Sequence, residues 1–226
     1  MRKGRLVVSA SLDGLEVMGR PLLDVVHDLW RDAGVYLVIG QEEPAELVID
    51  GVFPCLRKQT LLQWLQDEQR RPLVTADGFK MAWWLENGGE QGWAAQGTEG
   101  LKVDGLWECG RADRILQLRQ MKLFSQQGVR FVDPISTHID ASVEIEQGAT
   151  IGPGVILRGA TTVATGAHIH MGCWLQNTTV GKGAQLKPYS VCEGAAIGEG
   201  AQVGPMAHLR QGTRLEERTK VGNFVE

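Results

Sequence analysis

Two pairs of polar residues in the second half of the chain have a spacing that could support chemistry. His168 and His170 flank one aliphatic residue, and His208 and Arg210 flank another. Side chains alternate along a strand, so each pair shares an outer face if the aliphatic residue between them points inward. The paired imidazoles could bind a metal ion between subunits or act as a base, but we favour a solvated or stacked surface pair. Arg210 could contact a phosphate or be an ordinary surface arginine.

Other residues that could do chemistry are interpreted as structural. The four cysteines are scattered, form no Cys-x-x-Cys pair and are expected to be small buried hydrophobic residues: Cys55, Cys109, Cys173 and Cys192. Trp83, Trp84 and Trp93 could stack on a base or a sugar, but packing beneath a loop is the favoured interpretation. Gly88 and Gly89 mark a turn, with too weak a pattern for a phosphate-binding loop. We predict no metal site and no cofactor from these residues.

Length and charge limit the classes of partner. The chain has 226 residues, with 23 lysines and arginines against 27 aspartates and glutamates, which allows two modest domains but not a basic nucleic-acid surface. No apolar run approaches the roughly 20 residues that span a bilayer. The apolar stretch over 6–10 is too short for a signal peptide and is better explained as a first strand. We expect a cytoplasmic protein without nucleic-acid or membrane partners.

A six-residue repeat fills the chain from Ile139 onwards. Almost every unit opens with an aliphatic residue, and its second and fifth positions are usually small, polar or β-branched. The units open at Ile139, Ile145, Ile151, Leu157, Val163, Ile169, Leu175, Val180, Leu186, Cys192, Ile197, Val203, Leu209, Leu215 and Val221. Units of five residues precede Val180 and Ile197. Each unit can form one side of a triangular prism, so the fifteen units predict a left-handed parallel β-helix of about five coils.

The first 110 residues follow a different pattern, in which strands and helices alternate. Pro21 is placed to begin a helix with an apolar inward face: Leu22, Val25, Val26, Leu29 and Ala33. The further predicted elements are strands over 35–39 and 47–49, a helix over 58–69 with Leu61, Leu62 and Leu65 inward, and a strand over 73–75. This alternation predicts an α/β layer with a parallel sheet. A helix over 113–127, ended by Gly128, should connect this layer to the β-helix.

Three stretches resemble the bacterial bifunctional N-acetylglucosamine-1-phosphate uridylyltransferase and glucosamine-1-phosphate acetyltransferase family. They are GVRFVDP at 128–134, LKPYSVCE at 186–193, and the run over 197–226, which contains VGPMAHLRQG and closes on VGNFVE. The resemblance is specific from about residue 108 to residue 226 and loose before that. It implies an N-terminal remnant of a sugar-nucleotidyltransferase domain, a role in nucleotide-sugar metabolism near UDP-N-acetylglucosamine, and a homotrimer.

The resemblance also places the family's nucleotidyltransferase residues, and several of them are replaced. The metal-binding aspartate falls at Val52, although Asp50 lies nearby, and a second metal ligand, an asparagine, falls at Ala112. The glycine-rich first loop and its following lysine are absent from 8–14. Nucleotidyl transfer needs backbone N–H groups close to the phosphates, a lysine and oxygen ligands for Mg²⁺. We therefore predict no uridylyltransferase activity.

The acetyltransferase half is incomplete as well. In the family an arginine binds the sugar phosphate, and it matches Arg210. The family's lysines and catalytic histidine follow the GNFVE stretch, and this chain stops at Glu226. Acyl transfer to an amine needs a general base. The resemblance therefore carries over a substrate-binding residue but no catalytic one.

These observations lead to a domain assignment and to three hypotheses. We expect a degenerate sugar-nucleotidyltransferase-like α/β domain over 1–112, a linker helix and connection over 113–134, and a left-handed β-helix over 135–226. The leading hypothesis is a non-catalytic or regulatory relative that binds a sugar phosphate or nucleotide sugar. One alternative is an acyltransferase with its active site at a trimer interface, built around His168 or His208. The other alternative is a purely structural trimer.

Overall fold

The computed structural model describes residues 2–7, 15–33, 35–39, 47–50, 53–67, 73–74, 80–84, 93–94 and 97–226. The chain divides into two compact units, Met1–Ile115 and Leu116–Glu226. The division falls inside a long helix that begins in the first unit and ends in the second. Each unit has its own buried interior, and each is described separately below.

The N-terminal unit is built on a six-stranded sheet. Its elements are, in chain order, β1 (Arg2–Val7), β2 (Glu16–Val17), β3 (Arg20–Pro21), α1 (Leu22–Asp32), β4 (Val35–Ile39), β5 (Leu47–Asp50), α2 (Lys58–Leu65), β6 (Leu73–Val74), β7 (Lys80–Trp84), β8 (Trp93–Ala94), a 3₁₀ helix (Gly97–Gly100) and the first part of α3 (Leu106–Gln126). The strand order in the sheet is β4-β1-β5-β7-β6-β8, and β2 pairs with β3 in a separate hairpin.

The sheet is mixed rather than parallel, which corrects the sequence prediction. β1 pairs in parallel with both β4 and β5, as expected. β7 pairs antiparallel with both β5 and β6, because the five residues between β6 and β7 are too few for the crossover that a parallel pair needs. The sequence analysis missed this strand: Trp83 and Trp84 lie within β7, and Trp93 begins β8. Gly88 and Gly89 lie outside the described residues.

The two helices of this unit bury faces that differ in part from the predicted ones. The fully buried residues of α1 follow a spacing of four and are Leu22, Val26 and Trp30. The predicted inward residues Val25 and Leu29 are half-buried. On α2 the prediction for Leu62 was wrong, since Leu62 is exposed and Trp64 is buried in its place. Trp64 meets Trp30 edge to face, with ring centroids 6.3 Å apart.

The second unit is a left-handed parallel β-helix, which confirms the fold predicted from the six-residue repeat. Its strands form one six-stranded and two five-stranded sheets, here named faces 1, 2 and 3. Face 1 comprises β9 (Arg130–Phe131), β12 (Thr150–Ile151), β15 (His168–Ile169), β18 (Gln185–Leu186), β21 (Gln202–Val203) and β24 (Lys220–Val221). Face 2 comprises β10 (His138–Ile139), β13 (Ile156–Arg158), β16 (Trp174–Gln176), β19 (Val191–Glu193) and β22 (His208–Leu209). Face 3 comprises β11 (Glu144–Ile145), β14 (Thr162–Val163), β17 (Thr179–Val180), β20 (Ala196–Ile197) and β23 (Arg214–Leu215).

The opening residues of the units fill the interior of the β-helix. All of them up to Leu209 are buried, and the last two are half-buried. Ile151 pairs with Ile169, eighteen residues later, whereas Ile169 pairs with Leu186, seventeen residues later. The five-residue units account for the shorter coils, because each lacks one residue at a corner. The predicted stacking of aliphatic rungs is therefore confirmed.

The β-helix ladder begins before the first predicted unit. Phe131 in β9 pairs with Ile151, although the sequence analysis assigned this stretch to the connection over 113–134. Helix α3 begins at Leu106, before its predicted start at 113, and places Met121 in the β-helix core. It ends ahead of Gly128, as predicted, where a φ of 95° suits a residue without a side chain. In the described part of the chain, no helix is both long and apolar enough to cross a membrane.

Thr178 fixes the corner of the first five-residue unit. Its side chain is buried, and its hydroxyl lies 3.0 Å from the carbonyl oxygen of Gln176 and 3.1 Å from that of Cys192. The hydroxyl oxygen also accepts the N–H of Ala195 at 3.5 Å. These side-chain hydrogen bonds satisfy backbone groups at a corner that is one residue short.

Thr178→Val should lower the free energy of unfolding by about 1–3 kcal/mol, because the isosteric valine leaves buried backbone groups without their hydroxyl partner. Urea denaturation followed by circular dichroism measures this change. Thr179→Val, at the next and exposed position, should change it by less than about 0.5 kcal/mol. Equal losses in the two variants would show that the hydroxyl of Thr178 does not hold the corner.

Candidate ligand site on the β-helix

His208 and Arg210 lie on face 2, on either side of the buried Leu209. The Nε2 atom of His208 is 3.0 Å from an Oε atom of Glu193, and its Nδ1 atom is 3.9 Å from an Oε atom of Glu226. The guanidinium of Arg210 donates a hydrogen bond to that same oxygen of Glu226. These contacts join the side chains of His208, Arg210, Glu193 and Glu226 into one group, here named the face-2 cluster.

Glu193 was missed by the sequence analysis, although the repeat contains the signal that places it. Glu193 follows the inward Cys192 as Arg210 follows the inward Leu209, and these two inward residues pair between coils. Equivalent positions of successive coils stack along a face, so the carboxylate and the guanidinium belong to one outward row. Gln176 pairs with Glu193 and comes one coil before it in that row. Counting seventeen residues back from Arg210 would have found the carboxylate.

An open groove of about 260 Å³ lies beside the face-2 cluster. It is lined by Gln176, Asn177, Glu193, Gly194 and Gln211. Side-chain amides and a carboxylate offer both donors and acceptors, so the groove suits a ligand rich in hydroxyl groups. The side chains of His208, Glu193 and Arg210 are 40, 47 and 68% exposed, which leaves the cluster accessible.

The other pair of histidines is stacked on face 1. The ring centroids of His168 and His170 are 4.1 Å apart and the ring planes differ by 13°, which confirms the stacked pair that the sequence analysis favoured. Burial and the neighbouring groups of His168 and Lys187 hold the pKa of His170 below its ordinary value. The uncharged imidazole is therefore favoured at His170. Among the residues that the structure describes, no group of three or more His, Cys, Asp or Glu side chains could hold a metal ion.

The cysteines are packing residues, as expected. All four are buried, and none of them is in a disulfide. Burial raises the pKa of Cys173 to about 11 and that of Cys192 to about 12. It also raises the pKa of Cys109. The thiolate is the reactive form of cysteine, so these three side chains are poor nucleophiles at neutral pH.

The N-terminal unit lacks a metal ligand at the position where the resemblance calls for an asparagine. Ala112 is fully buried in α3, and its methyl group cannot offer an oxygen to Mg²⁺. The next residue, Asp113, accepts a hydrogen bond from the backbone N–H of Met18 at 2.6 Å, which holds the β2–β3 turn. Val52 and the loop over 8–14 lie outside the described residues.

The six-residue units, the inward rungs and the parallel ladders define a hexapeptide-repeat β-helix protein. The bifunctional protein GlmU of Trichlorobacter lovleyi is 38% identical over 119 residues, covering 53% of this chain and 26% of the relative. GlmU of Acinetobacter baylyi is 31% identical over 201 residues, covering 82% and 42%. GlmU of Acinetobacter baumannii is 39% identical over 157 residues, covering 68% and 32%. The chain is a relative of the bifunctional GlmU proteins.

These matches cover a larger share of this chain than of the relatives. The chain spans between 26% and 42% of the length of the three GlmU proteins. No family model matches the chain. A mutant of perosamine N-acetyltransferase from Caulobacter crescentus, solved with CoA and GDP-perosamine, aligns at 13% identity with a TM-score of 0.32, covering 99% of this chain and 91% of that one. The acetyltransferase domain of PglB from Neisseria gonorrhoeae aligns at 17% identity with a TM-score of 0.22, covering 99% and 89%. These scores are low, and the strand pairing of the β-helix itself establishes the fold.

With Mg²⁺, UTP and N-acetylglucosamine 1-phosphate, the chain should release no pyrophosphate, because Ala112, where the resemblance places an oxygen ligand, offers only a buried methyl group. A coupled pyrophosphate assay measures the release, with a curated GlmU relative as the positive control. Turnover that depends on Mg²⁺ and disappears with EDTA would contradict the assignment of Ala112 to a metal position.

Proposed function

We propose that the chain is a non-catalytic relative of the GlmU proteins that binds the phosphate group of a sugar phosphate or nucleotide sugar. The proposal rests on Arg210, whose exposed guanidinium projects from face 2 and already bonds the carboxylate of Glu226. Carboxylate and phosphate oxygens accept the same paired N–H donors, so this position suits a phosphate. The resemblance to the family supports the same role for Arg210.

The groove beside Arg210 supports recognition of the sugar itself. Gln176, Glu193 and Arg210 occupy one outward row in three successive coils. Neighbouring strands are about 4.8 Å apart, so Gln176 lies about 10 Å along the row from Arg210, which is the reach of a phosphorylated sugar. Amide side chains at that distance can bond sugar hydroxyl groups while the guanidinium holds the phosphate. The four cysteines, none of which is in a disulfide, fit the reducing cytoplasm in which we place this role.

Arg210→Ala should weaken the binding of glucosamine 1-phosphate and of UDP-N-acetylglucosamine about tenfold or more, because a hydrogen bond to a charged group contributes about 1.5–3 kcal/mol. Isothermal titration calorimetry at low salt measures the change. Arg214→Ala removes another exposed arginine, on face 3, and should leave both affinities unchanged. Equal weakening by the two substitutions, or no binding to the unaltered chain at millimolar concentration, would contradict the proposal.

A second candidate function, acyl transfer to an amine, is favoured by the contact between His208 and Glu193. A carboxylate that bonds one imidazole nitrogen fixes the tautomer and leaves the other nitrogen free to accept a proton. Because Nε2 of His208 faces Glu193, Nδ1 would be the base. The amine would attack the carbonyl carbon of an acyl thioester, Nδ1 would take the amine proton, and the departing thiolate would receive that proton.

If acyl transfer occurs, His208→Gln should abolish it and Glu193→Gln should slow it about 10- to 100-fold, because proton transfer by a positioned base supplies effects of that size. Release of free thiol from acetyl-CoA in the presence of glucosamine 1-phosphate measures the rate. His138→Gln changes another outward histidine of face 2, in its first coil, and should leave the rate unchanged. If the unaltered chain binds the sugar phosphate but releases no thiol, acyl transfer is excluded and the non-catalytic role stands.

We also propose that three copies of the chain associate through face 2. Ile156, Trp174 and Val191 form an outward apolar row across its central coils. Tyr189 and Met206 are exposed at the corner that leads into this face. A continuous apolar strip on a surface favours burial against another molecule. The family resemblance implies that this association is a trimer.

Light scattering at micromolar concentration should give about three times the chain's mass of 24.7 kDa, because a standard protein interface of about 800 Å² per partner would cover the apolar strip. Trp174→Glu should reduce the mass to that of one chain by placing a charge in the strip. Thr162→Glu makes the corresponding change on face 3 and should leave the mass unchanged. A monomer mass for the unaltered chain would contradict this proposal.

A further inference from the structure

Face 1 of the β-helix, which is described in full, has no carboxylate on its outward positions. Each of its strands presents one residue before and one residue after its inward rung. The outward residues that can carry charge are Arg130, His168, His170, Lys187 and Lys220, and all of them are bases. The chain as a whole has a net charge of −4 at neutral pH. Face 1 is therefore a positive surface on a negative protein.

Faces 2 and 3, unlike face 1, carry carboxylates on their outward positions. Face 2 carries Glu193 in its outward row, where it bonds His208. Face 3 carries Glu146, whose carboxylate accepts hydrogen bonds from the backbone N–H and the hydroxyl of Thr165. Acidic side chains thus accompany basic ones on faces 2 and 3, whereas the outward positions of face 1 offer no counter-charge.

Three of the bases on face 1 lie within two adjacent coils. His168 and His170 are stacked at 4.1 Å on β15. The pairing of Ile169 with Leu186 places Lys187, on β18, next to His170 in the same outward row. On the other side of His170 that row holds Gly152, which is buried against the backbone over 169–171. We name His168, His170 and Lys187 the face-1 patch.

We propose that the face-1 patch binds a phosphate group, at a site distinct from Arg210. The ammonium group and the two imidazole rings belong to adjacent strands about 4.8 Å apart, a spacing that matches a single phosphoryl group rather than an extended polyanion. A phosphate carries close to two negative charges and several acceptor oxygens, so it would supply the counter-charge that face 1 lacks.

The protonation of His170 gives this site a dependence on pH. The groups that face His170 are His168 on its own strand, Lys187 and the neutral Gln185 on β18, and the neutral Thr150 on β12. Burial, His168 and Lys187 lower the pKa of His170, so its charged form is scarce at neutral pH without an anion. A bound dianion favours the imidazolium. Binding should therefore raise the pKa of His170, and it should strengthen as pH falls through the range in which His170 gains a proton.

Histidine side-chain NMR on the full chain tests the proposal, with inorganic phosphate as the ligand. Saturating phosphate should raise the pKa of His170 by about half a unit or more, which corresponds to at least about threefold tighter binding to the protonated form. Sulfate keeps its charge throughout this range and should bind more tightly at pH 6 than at pH 8. At about 20 mM of either anion, even a weak millimolar site would be occupied. If the resonances of His168 and His170 do not move at that concentration, the proposal is overturned.

Two lysine variants separate a defined site from general attraction to a positive face. Lys187→Met keeps the length of the side chain and should weaken phosphate binding about fivefold or more, because it removes a charged hydrogen-bond donor. Lys220→Met, on the same face but distant from β15, should weaken it less than about twofold, since exposed charges are screened over that distance. Equal weakening by the two variants would overturn the proposal. Arg210→Ala should leave the shifts of His168 and His170 intact, so this test can fail independently of the proposed sugar-phosphate site.

Discussion

The stack of inward aliphatic rungs is the interaction on which the rest of the β-helix depends. Each unit places one apolar side chain inside a narrow prism, as Ile151, Ile169 and Leu186 do in three successive coils. Full burial of such a side chain contributes about 1.5–3 kcal/mol, and a shift of one residue would turn a whole row outward. Most neighbours of the rungs therefore lie on the surface, although Gly152 and Gly204 are buried. Residues one coil apart, such as Glu193 and Arg210, come together there although they are distant in sequence.

This architecture produces sites that are rows on a surface rather than deep pockets. The face-2 cluster combines acidic and basic side chains beside an open groove, and the face-1 patch combines bases alone. In a single chain both are open to solvent, so their interactions with ligands there should be modest and should weaken with salt. In the N-terminal unit, Ala112, where the family resemblance places a metal ligand, is a buried methyl group. For these reasons we propose that the β-helix, and not the N-terminal unit, binds the ligand.

Features that are encoded locally could be predicted from the sequence, and features that depend on distant contacts could not. The hexapeptide pattern recurs in fifteen units, and each unit independently indicates its inward residue. The rungs and the two short units were therefore assigned correctly. The antiparallel pairing of β7 depends on a non-local partner, and the choice between Leu62 and Trp64 depends on Trp30, which packs against α2. The contact between His208 and Glu193 required the corners to be counted, because each five-residue unit changes the coil length. The stacking of two histidines depends on side-chain torsions, which the sequence pattern does not specify.

The central claim is that the chain binds its phosphorylated ligand on the β-helix and not in the N-terminal unit. The most direct test is to map backbone NMR shifts of the full chain as UDP-N-acetylglucosamine is added in the presence of Mg²⁺. The account predicts that the largest shifts fall at Gln176, Glu193 and Arg210 and that residues around Ala112 do not respond. Shifts concentrated around Ala112 and α2, with none on face 2, would contradict it.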